Sequence, residues 1–278
     1  MKLQYLGTAA AEGVPALFCE CENCKRSRAL GGRNIRSRSQ ALVDDTILID
    51  FPADTFMHFI LHNVPLHKIK HCLITHSHQD HLYENDIAMR IPGFSNLSDK
   101  ETPLTFYSDE SAYNKIQKII DVHNMKENVV KNIRIEPNKP FMVEGYTVIP
   151  LRASHTPETK PLVFIVEKDG KSIFYSNDTS EYKPETWEYL KTLKKPLDLI
   201  SFDCTEACNE SKYEGHLDID RCDKLRAELK KYNVADENTV FILHHFSHNA
   251  KNVVYDDFVK IAKERDYLVS YDGMVVEI

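Results

Sequence analysis

Short apolar runs alternate with amphipathic stretches along the chain, and no long linker or low-complexity segment interrupts them. The apolar runs are bounded by turn-forming residues and predict β-strands, whereas the stretches with helical spacing predict helices. The predicted helices cover residues 55–61, 81–90, 112–123, 184–192, 218–232 and 255–264.

Turn signals between apolar runs predict three β-hairpins, with their turns at residues 44–45, 169–170 and 272–273. The apolar runs at 199–202 and 240–243 each end in a polar cluster. Hairpins mixed with strand–helix units favour a layered α/β protein with mixed sheets. Such folds build their sites where strands end, so the polar clusters become the candidate functional regions.

Composition narrows the classes of function. The 278 residues allow one large α/β domain, and we treat 1–278 as a single domain. A formal net charge of -7 argues against nucleic acid or an anionic membrane as a partner. Apolar runs stay well short of the ~20 residues of a membrane helix, and the first residues do not resemble a signal peptide. We therefore expect a cytoplasmic protein with no membrane partner.

The stretch THSHQDHLYEND at residues 75–86 directly follows an apolar run and contains His76, His78, Asp80 and His81. Residues two apart in an extended loop point the same way, so His76 and His78 can face one cation. Asp80 and His81, at the following turn, can face a second. Imidazole and carboxylate suit zinc, manganese or iron. The alternative is a solvated loop that happens to be rich in histidine, but the pattern favours a two-metal centre.

Further candidate ligands follow apolar runs downstream. His155 lies in LRASHTPE, Asp178 in FYSNDTS and His245 in FILHHFSH. Each alone would more often be a surface or capping residue. Because all of them recur after apolar runs, they are candidates for completing two metal sites.

This series of histidines and aspartates resembles the metallo-β-lactamase superfamily of di-metal hydrolases. The resemblance spans nearly the whole chain. It implies an αββα sandwich of two mixed β-sheets flanked by helices, with the metals at one edge of the paired sheets. By this resemblance the ligands of the first metal are His76, His78 and His155, those of the second are Asp80, His81 and His245, and Asp178 bridges both.

A cysteine cluster at residues 19–24 supplies Cys19, Cys21 and Cys24 at zinc-compatible spacing, and a structural zinc needs a fourth ligand. Incidental thiols are the alternative, although three free thiols in one cytosolic loop would be prone to oxidation. Cys208 is undecided. Three other cysteines lie in or beside apolar patterns and are predicted core residues: Cys72, Cys204 and Cys222.

The segment LGTAAAEGVPALFCECENCKRSR at 6–28 and YDGM at 271–274 resemble the phosphoribosyl 1,2-cyclic phosphate phosphodiesterase (PhnP) family. That family holds a structural zinc whose fourth ligand is the second histidine of a His-x-Ser-His stretch. HFSH at 245–248 matches it, which implies His248 as the fourth ligand. A branch involved in quinone cofactor biosynthesis has a similar cysteine segment, so the cysteines leave the substrate open. His244 is predicted to be a packing histidine.

One departure from the superfamily concerns the early hairpin. The superfamily commonly has Asp-x-Gly there, whereas this chain has DFPAD at 50–54. The substrate pocket near this segment is therefore expected to differ.

These features predict a di-metal phosphodiesterase acting on a small cyclic phosphodiester such as phosphoribosyl 1,2-cyclic phosphate. We expect two divalent catalytic ions, manganese or zinc, and one structural zinc. Asp80 is expected to orient the nucleophile while binding metal. His216, in YEGHLDID, is the candidate general acid, because the family places a histidine that is not a metal ligand here. Its alternative role is to cap the following helix.

Three other classes of function are alternatives for the same residues. A hydrolase of carboxylic esters, thioesters or lactams could use this scaffold, although no β-lactam-binding motif is recognisable. A tRNA 3′-processing nuclease is disfavoured by the net charge of -7 and by the lack of a basic, Gly-rich arm. A non-catalytic metal-binding protein would be expected to have lost some ligands. The expected partner is a small phosphorylated substrate, and a homodimer is compatible with this interpretation.

Overall fold

The computed structural model describes residues 1–210 and 214–278, and in that part of the chain the strands form two mixed seven-stranded β-sheets. The first sheet contains β1 (Lys2–Gly7), β2 (Gln40–Val43), β3 (Ile47–Ile49), β4 (His71–Leu73), β5 (Leu104–Ser108), β6 (Val130–Arg134) and β14 (Val275–Glu277). The second contains β7 (Phe141–Val143), β8 (Tyr146–Arg152), β9 (Leu162–Lys168), β10 (Lys171–Ser176), β11 (Leu199–Asp203), β12 (Val240–His244) and β13 (Leu268–Val269). Their orders are β14-β1-β2-β3-β4-β5-β6 and β13-β12-β11-β10-β9-β8-β7.

Helices flank the two sheets, and four of the six pack their buried apolar side chains on them. They are α1 (Glu22–Leu30), α2 (Thr55–Leu61), α3 (Glu110–Val122), α4 (Pro184–Leu190), α5 (Ile219–Lys231) and α6 (Tyr255–Lys263), with 3-10 turns at Gly32–Asn34, Glu84–Arg90 and Pro157–Thr159. The result is the predicted αββα sandwich. Within the described ranges no helix has the length and apolar character needed to span a membrane.

Alternating side chains along each strand build the layers of this sandwich. In β2, Ala41 and Val43 point into the core between the sheets, whereas Leu42 packs on the side of α3. The core between the sheets contains residues of both, such as Tyr5 and Phe164. Because successive side chains in a strand face opposite ways, a strand covered on both faces is apolar throughout. The apolar runs of the sequence are therefore strands buried on both sides.

Two of the predicted hairpins are confirmed and the third is wrong. Strands β2 and β3 pair antiparallel, as do β9 and β10. The turn at 272–273, in contrast, connects strands of different sheets, because β13 pairs with β12 and β14 pairs with β1. Two backbone hydrogen bonds draw the chain across: Tyr5 N donates to Met274 O at 2.8 Å and Gly273 N donates to Tyr5 O at 2.7 Å.

The predicted helices are confirmed except for the one at 81–90. There the chain forms only a 3-10 turn at Glu84–Arg90, because the preceding residues extend along residue 51. Phe51 N donates to His81 O at 2.7 Å, and Tyr83 N donates to Phe51 O at 2.7 Å. Helix α1 was not predicted, since its sequence ENCKRSRAL has no apolar stripe.

Candidate metal centre

The predicted ligands all lie just beyond the ends of strands and converge between the two sheets. The loop that follows β4 of the first sheet provides the first four candidates, and loops after β8, β10 and β12 of the second sheet provide the others. All seven are brought together in two groups, whose ligand atoms lie within 4.8 Å of one another in each. The groups are His76, His78, His155 and Asp178, and Asp80, His81, Asp178 and His245.

The first group consists of three imidazoles around one carboxylate. His76 Nε2 lies 2.9 Å from His78 Nδ1 and 3.1 Å from Asp178 Oδ2. His155 Nε2 lies 3.4 Å from the same His78 nitrogen. Rings of this group also contact each other edge-on, with centroids 4.5 Å apart for His76 and His78.

The second group shares Asp178 with the first. His81 Nε2 lies 3.1 Å from Asp80 Oδ2 and 3.1 Å from Asp178 Oδ2. His245 Nε2 approaches His81 Nε2 to 3.3 Å and Asp178 Oδ2 to 3.9 Å. Asp178 thus occupies the position between the groups in which a carboxylate can bridge two ions.

The donor atoms fit divalent metal ions. Burial lowers the pKa of His76 to about 3, so this ring is neutral and presents a lone pair to the centre. Asp178 is almost fully buried, and its Oδ1 makes no hydrogen bond within the described part of the chain. Buried carboxylates and imidazole nitrogens packed this closely are stabilised when a cation accepts one lone pair from each donor of a group.

Three positions around the centre have left-handed backbone conformations without being glycine. The φ angles are +68° at Asp50, +52° at Asp178 and +65° at His245. Residues with side chains adopt this region rarely, and such outliers concentrate at functional sites. Here the conformation turns the chain sharply at a strand end and places the side chain in the cluster.

Two further aspartates orient the imidazoles from behind. Asp50 Oδ2 lies 2.7 Å from His81 Nδ1, and Asp50 Oδ1 accepts a hydrogen bond from Thr75 N at 2.8 Å. With its Nδ1 held in this way, His81 directs Nε2 at the centre. Burial disfavours the charged ring, but the carboxylates of Asp80 and Asp50 outweigh it and hold the pKa of His81 well above its usual value.

Asp203 performs the same function on the opposite side. Its Oδ2 lies 3.1 Å from His216 Nδ1 and 3.5 Å from His245 Nδ1. Leu217 N and Thr205 N donate to Asp203 Oδ1 at 2.9 and 3.0 Å, which fixes the carboxylate. Sequence reasoning missed Asp203 and the role of Asp50. The available signals were the polar cluster after the run 199–202 and the departure at 50–54.

His216 lies beside the metal donors. Its Nδ1 is 3.3 Å from Asp178 Oδ1, in addition to its contact with Asp203. Burial lowers the pKa of His216, but the Asp203 and Asp178 carboxylates raise it more, to about 9. The capping interpretation is wrong, because the Asp218 side chain caps α5 by accepting a hydrogen bond from Arg221 N at 2.9 Å.

The cysteine cluster also comes together with its predicted partner. Cys19 Sγ and Cys21 Sγ lie 3.4 and 3.6 Å from His248 Nδ1, and Cys24 completes a four-donor group. Asn23 Nδ2 donates to the backbone oxygens of His248 at 2.9 Å and of residue 250 at 2.7 Å. Thiolate and imidazole donors in this number fit a structural zinc.

The structure also shows the surroundings of His244 and of the four cysteines outside the cluster at 19–24. His244 is fully buried, and its Nδ1 and Nε2 contact the hydroxyls of Ser270 at 2.9 Å and Ser39 at 3.2 Å. It is therefore a packing histidine, as predicted. Cys208 lies outside the four-donor group; its backbone N donates to Lys251 O at 3.2 Å. The three cysteines predicted for the core are buried: Cys72, Cys204 and Cys222.

A pocket of about 280 Å³ opens in front of the two donor groups. Among its lining residues are Asp80, His155, Asp178, His216 and His245. A substrate in this pocket would contact both donor groups and the imidazole of His216. Paired sheets with two His/Asp groups at their edge define a metal-dependent hydrolase of the metallo-β-lactamase type.

Comparison with known proteins assigns the family. Residues 45–246 match the family model described as the Beta-lactamase superfamily domain, and the chain belongs to the metallo-β-lactamase superfamily. No curated protein matches the chain in sequence.

Several solved structures share the fold over the whole chain. A new diphosphatase from the PhnP family is similar with a TM-score of 0.74 and 20% identity, covering 100% of this chain and 97% of that one. Zn²⁺-bound PqqB from Methylobacterium extorquens has a TM-score of 0.71 and 17% identity, with 100% of each chain covered. The short form of human tRNase Z (ELAC1) has a TM-score of 0.67 and 17% identity, covering 100% and 99%. At these identities the similarities concern the fold.

Proposed function

We propose that the protein is a di-metal phosphodiesterase that hydrolyses a small, cyclic phosphodiester such as a phosphoribosyl 1,2-cyclic phosphate. The observation that carries this proposal is the position of His216. Its imidazole lies 3.3 Å from Asp178, the carboxylate between the two donor groups, and lines the same pocket. Hydrolysis of a phosphodiester releases an alkoxide, which needs a proton donor beside the metals.

The proposed residues of the metal sites are those of the two donor groups. His76, His78 and His155 would hold one divalent ion, Asp80, His81 and His245 a second, and Asp178 both. Two such ions would supply Lewis-acid stabilisation of the phosphoryl oxygens and a water of lowered pKa. We propose manganese or zinc for these sites, and zinc for the group of Cys19, Cys21, Cys24 and His248.

The side chains of the pocket have distinct proposed roles. His216, with a pKa of about 9, is protonated near neutral pH and donates its proton to the leaving oxygen. Asp203 fixes this ring from behind at 3.1 Å and stabilises its charged form. Asp80 belongs to the second donor group and also lines the pocket, so its carboxylate orients the attacking water.

A cytoplasmic location is part of the proposal. The structure describes all seven cysteines and places none of them in a disulfide, and Cys21 is solvent-exposed. Unpaired thiols persist in reducing compartments, where a cysteine cluster binds metal and forms no disulfides.

The test compares substrate classes with purified protein loaded with manganese or zinc. Bis(p-nitrophenyl) phosphate and ribose 1,2-cyclic phosphate should be hydrolysed faster than nitrocefin or a glutathione thioester. His216→Ala should lower turnover roughly 10²–10⁴-fold, the usual contribution of a general acid. The metal content of this variant, measured by inductively coupled plasma mass spectrometry, should stay unchanged.

A matched control replaces a histidine away from the pocket. His123→Ala changes an exposed residue that follows α3 and should leave turnover as it is. Faster hydrolysis of the thioester or lactam would assign the protein to the other class of metallo-hydrolases. A silent His216→Ala with normal phosphodiesterase activity would remove the histidine from the mechanism.

A further inference from the structure

Thr205 is a buried residue of the pocket that has no role in the proposed mechanism. It lies just beyond the end of β11 and is only 3% exposed, but it is among the residues in front of the donor groups. Its backbone N donates to Asp203 Oδ1 at 3.0 Å, and its backbone O accepts from Ser247 N at 3.1 Å. These two bonds attach Thr205 to the loop after β11 and to the loop that contains His245.

The hydroxyl of Thr205 contacts three functional side chains at once. Its Oγ1 donates to Asp203 Oδ2 at 3.0 Å, and the same oxygen lies 2.8 Å from His245 Nδ1 and 3.2 Å from His216 Nδ1. A hydroxyl has one proton to donate and two lone pairs that can accept. Because its proton points at Asp203, the oxygen can act only as an acceptor toward the Nδ1–H groups of His245 and His216.

This arrangement fixes the tautomer of His245. A proton on Nδ1 leaves the lone pair of the ring on Nε2, which lies 3.3 Å from His81 Nε2 in the second donor group. Asp203 Oδ2 lies 3.5 Å from His245 Nδ1, whereas the Thr205 hydroxyl lies at 2.8 Å. The hydroxyl is therefore the nearer partner of this ring, and it holds Nε2 in the orientation that can bind a metal ion.

The first sheet holds its histidine of the second donor group in the opposite order. There Asp50 Oδ2 contacts His81 Nδ1 directly at 2.7 Å, and the hydroxyl of Thr75 lies farther from that nitrogen, at 3.3 Å. A carboxylate alone would have sufficed at His245 as well. The hydroxyl of Thr205 instead contacts two rings, so that it connects a metal-binding histidine with His216.

We propose that Thr205 is a positioning residue that holds His245 and His216 through one hydroxyl. The inference rests on the proposed function for the role of His216 as the acid, whereas the role at His245 concerns metal binding alone. Loss of the hydroxyl removes the nearer acceptor of His245 Nδ1 and one of the contacts that orient the His216 ring. Both metal affinity and turnover then decline, and an apolar side chain of the same shape cannot restore them.

The test uses the full chain and three substitutions. Thr205→Val keeps the shape of the side chain and removes the hydroxyl, Thr205→Ser keeps the hydroxyl, and Thr239→Val is the matched control. The Thr239 hydroxyl is also buried; it donates to Leu197 O at 2.7 Å and accepts from Asp236 N at 2.9 Å. Thr239 precedes β12, at the opposite end of that strand from His245. This control therefore measures the effect on stability of losing a buried hydroxyl.

Manganese binding can be followed by the electron paramagnetic resonance signal of the free ion. In Thr205→Val, one of the two proposed manganese sites should weaken about 10–100-fold, the usual effect of removing such a partner, while the other keeps its affinity. At saturating manganese, kcat for bis(p-nitrophenyl) phosphate should still be lowered about 10–100-fold, because the His216 ring is less well oriented. Thr205→Ser should retain both values, and Thr239→Val should change only the melting temperature.

Three results would overturn the inference. The first is normal manganese affinity in Thr205→Val. The second is a Thr205→Ser variant as impaired as Thr205→Val, since the shape of the side chain would then matter more than its hydroxyl. The third is full recovery of kcat in Thr205→Val at saturating manganese, which would remove the link to His216. If the unmodified protein does not hydrolyse bis(p-nitrophenyl) phosphate, the proposed function fails, and manganese affinity alone decides the inference.

Discussion

The His/Asp donor groups and the cysteine group differ in how their side chains are held, although one short loop connects them. His245 belongs to the first and His248 to the second. In the His/Asp groups, Nδ1 of His81 and Nδ1 of His245 lie 2.7 and 3.5 Å from the buried carboxylates of Asp50 and Asp203. In the cysteine group, the Asn23 side chain donates hydrogen bonds to the backbone of the loop that contains His248.

The difference predicts that the His/Asp groups are ordered before metal binds, whereas the cysteine group becomes ordered when metal binds. Buried aspartates fix the imidazoles electrostatically and by hydrogen bonds, so the His/Asp groups should keep their arrangement without ions. Thiolates that lie close together repel each other unless an ion neutralises them. Binding of zinc to the cysteine group should therefore contribute directly to the free energy of folding. Three experiments test this difference.

The largest effect is expected from Asp178→Ala. The variant removes the carboxylate shared by both His/Asp groups, so it should lose both proposed catalytic ions and lower the proposed phosphodiesterase activity by at least about 10³-fold. The metal content measured by elemental analysis should fall from about three ions per chain to about one, because the cysteine group is unchanged. Asp121→Ala, an exposed carboxylate on α3, is the control. Metal content that stays near three in Asp178→Ala would contradict the shared site.

The second experiment compares two histidines of one loop. His245→Ala should weaken one catalytic ion and abolish activity with little change in melting temperature. His248→Ala should release the structural zinc and lower the melting temperature, as Cys21→Ser should, because zinc binding at such a site contributes folding free energy. Measuring both zinc release and the melting temperature for all three variants checks this prediction. A His248→Ala that behaves like His245→Ala would mean that the cysteine group has another fourth ligand.

The smallest effect concerns the aspartates behind the imidazoles. Asp203→Asn and Asp50→Asn should each lower activity about 10–100-fold, the usual result of losing such a partner. Asp203 helps to raise the pKa of His216 to about 9, so the protonated acid is lost as pH rises through that value. In Asp203→Asn the alkaline decline of kcat/KM should move to lower pH, whereas Asp50→Asn should leave it in place. Equal profiles for the two variants would argue against His216 as the acid.

The sequence predicted those parts of the fold that depend on local spacing. Two hairpins and the helix at Thr55–Leu61 follow from turn residues and periodicity, and these are strongest over short distances. The turn at 272–273 was misassigned because a turn signal does not specify which strands pair after it. Here β14 crosses to β1, at the opposite end of the chain.

The candidate site shows the same limit. The histidines and aspartates of the donor groups are recognisable because their spacing is rare and family-specific. Asp203 has no such spacing. Asp203 acquires its meaning only from the fold, which brings His216 to within 3.1 Å of it.

The dispersion of the donors along the chain has a consequence for biosynthesis. The first sheet contributes its donors from one loop after β4, but the second sheet contributes the last only after β12. During synthesis, the N-terminal half of the chain emerges first and contains histidines of the loop after β4, but Asp178 and His245 are not yet present to complete the donor groups. An ion that needs donors from both sheets could therefore be held firmly only after most of the polypeptide has left the ribosome. The metal that fills such a site would then be selected late, by the finished fold and by the ions present where folding ends.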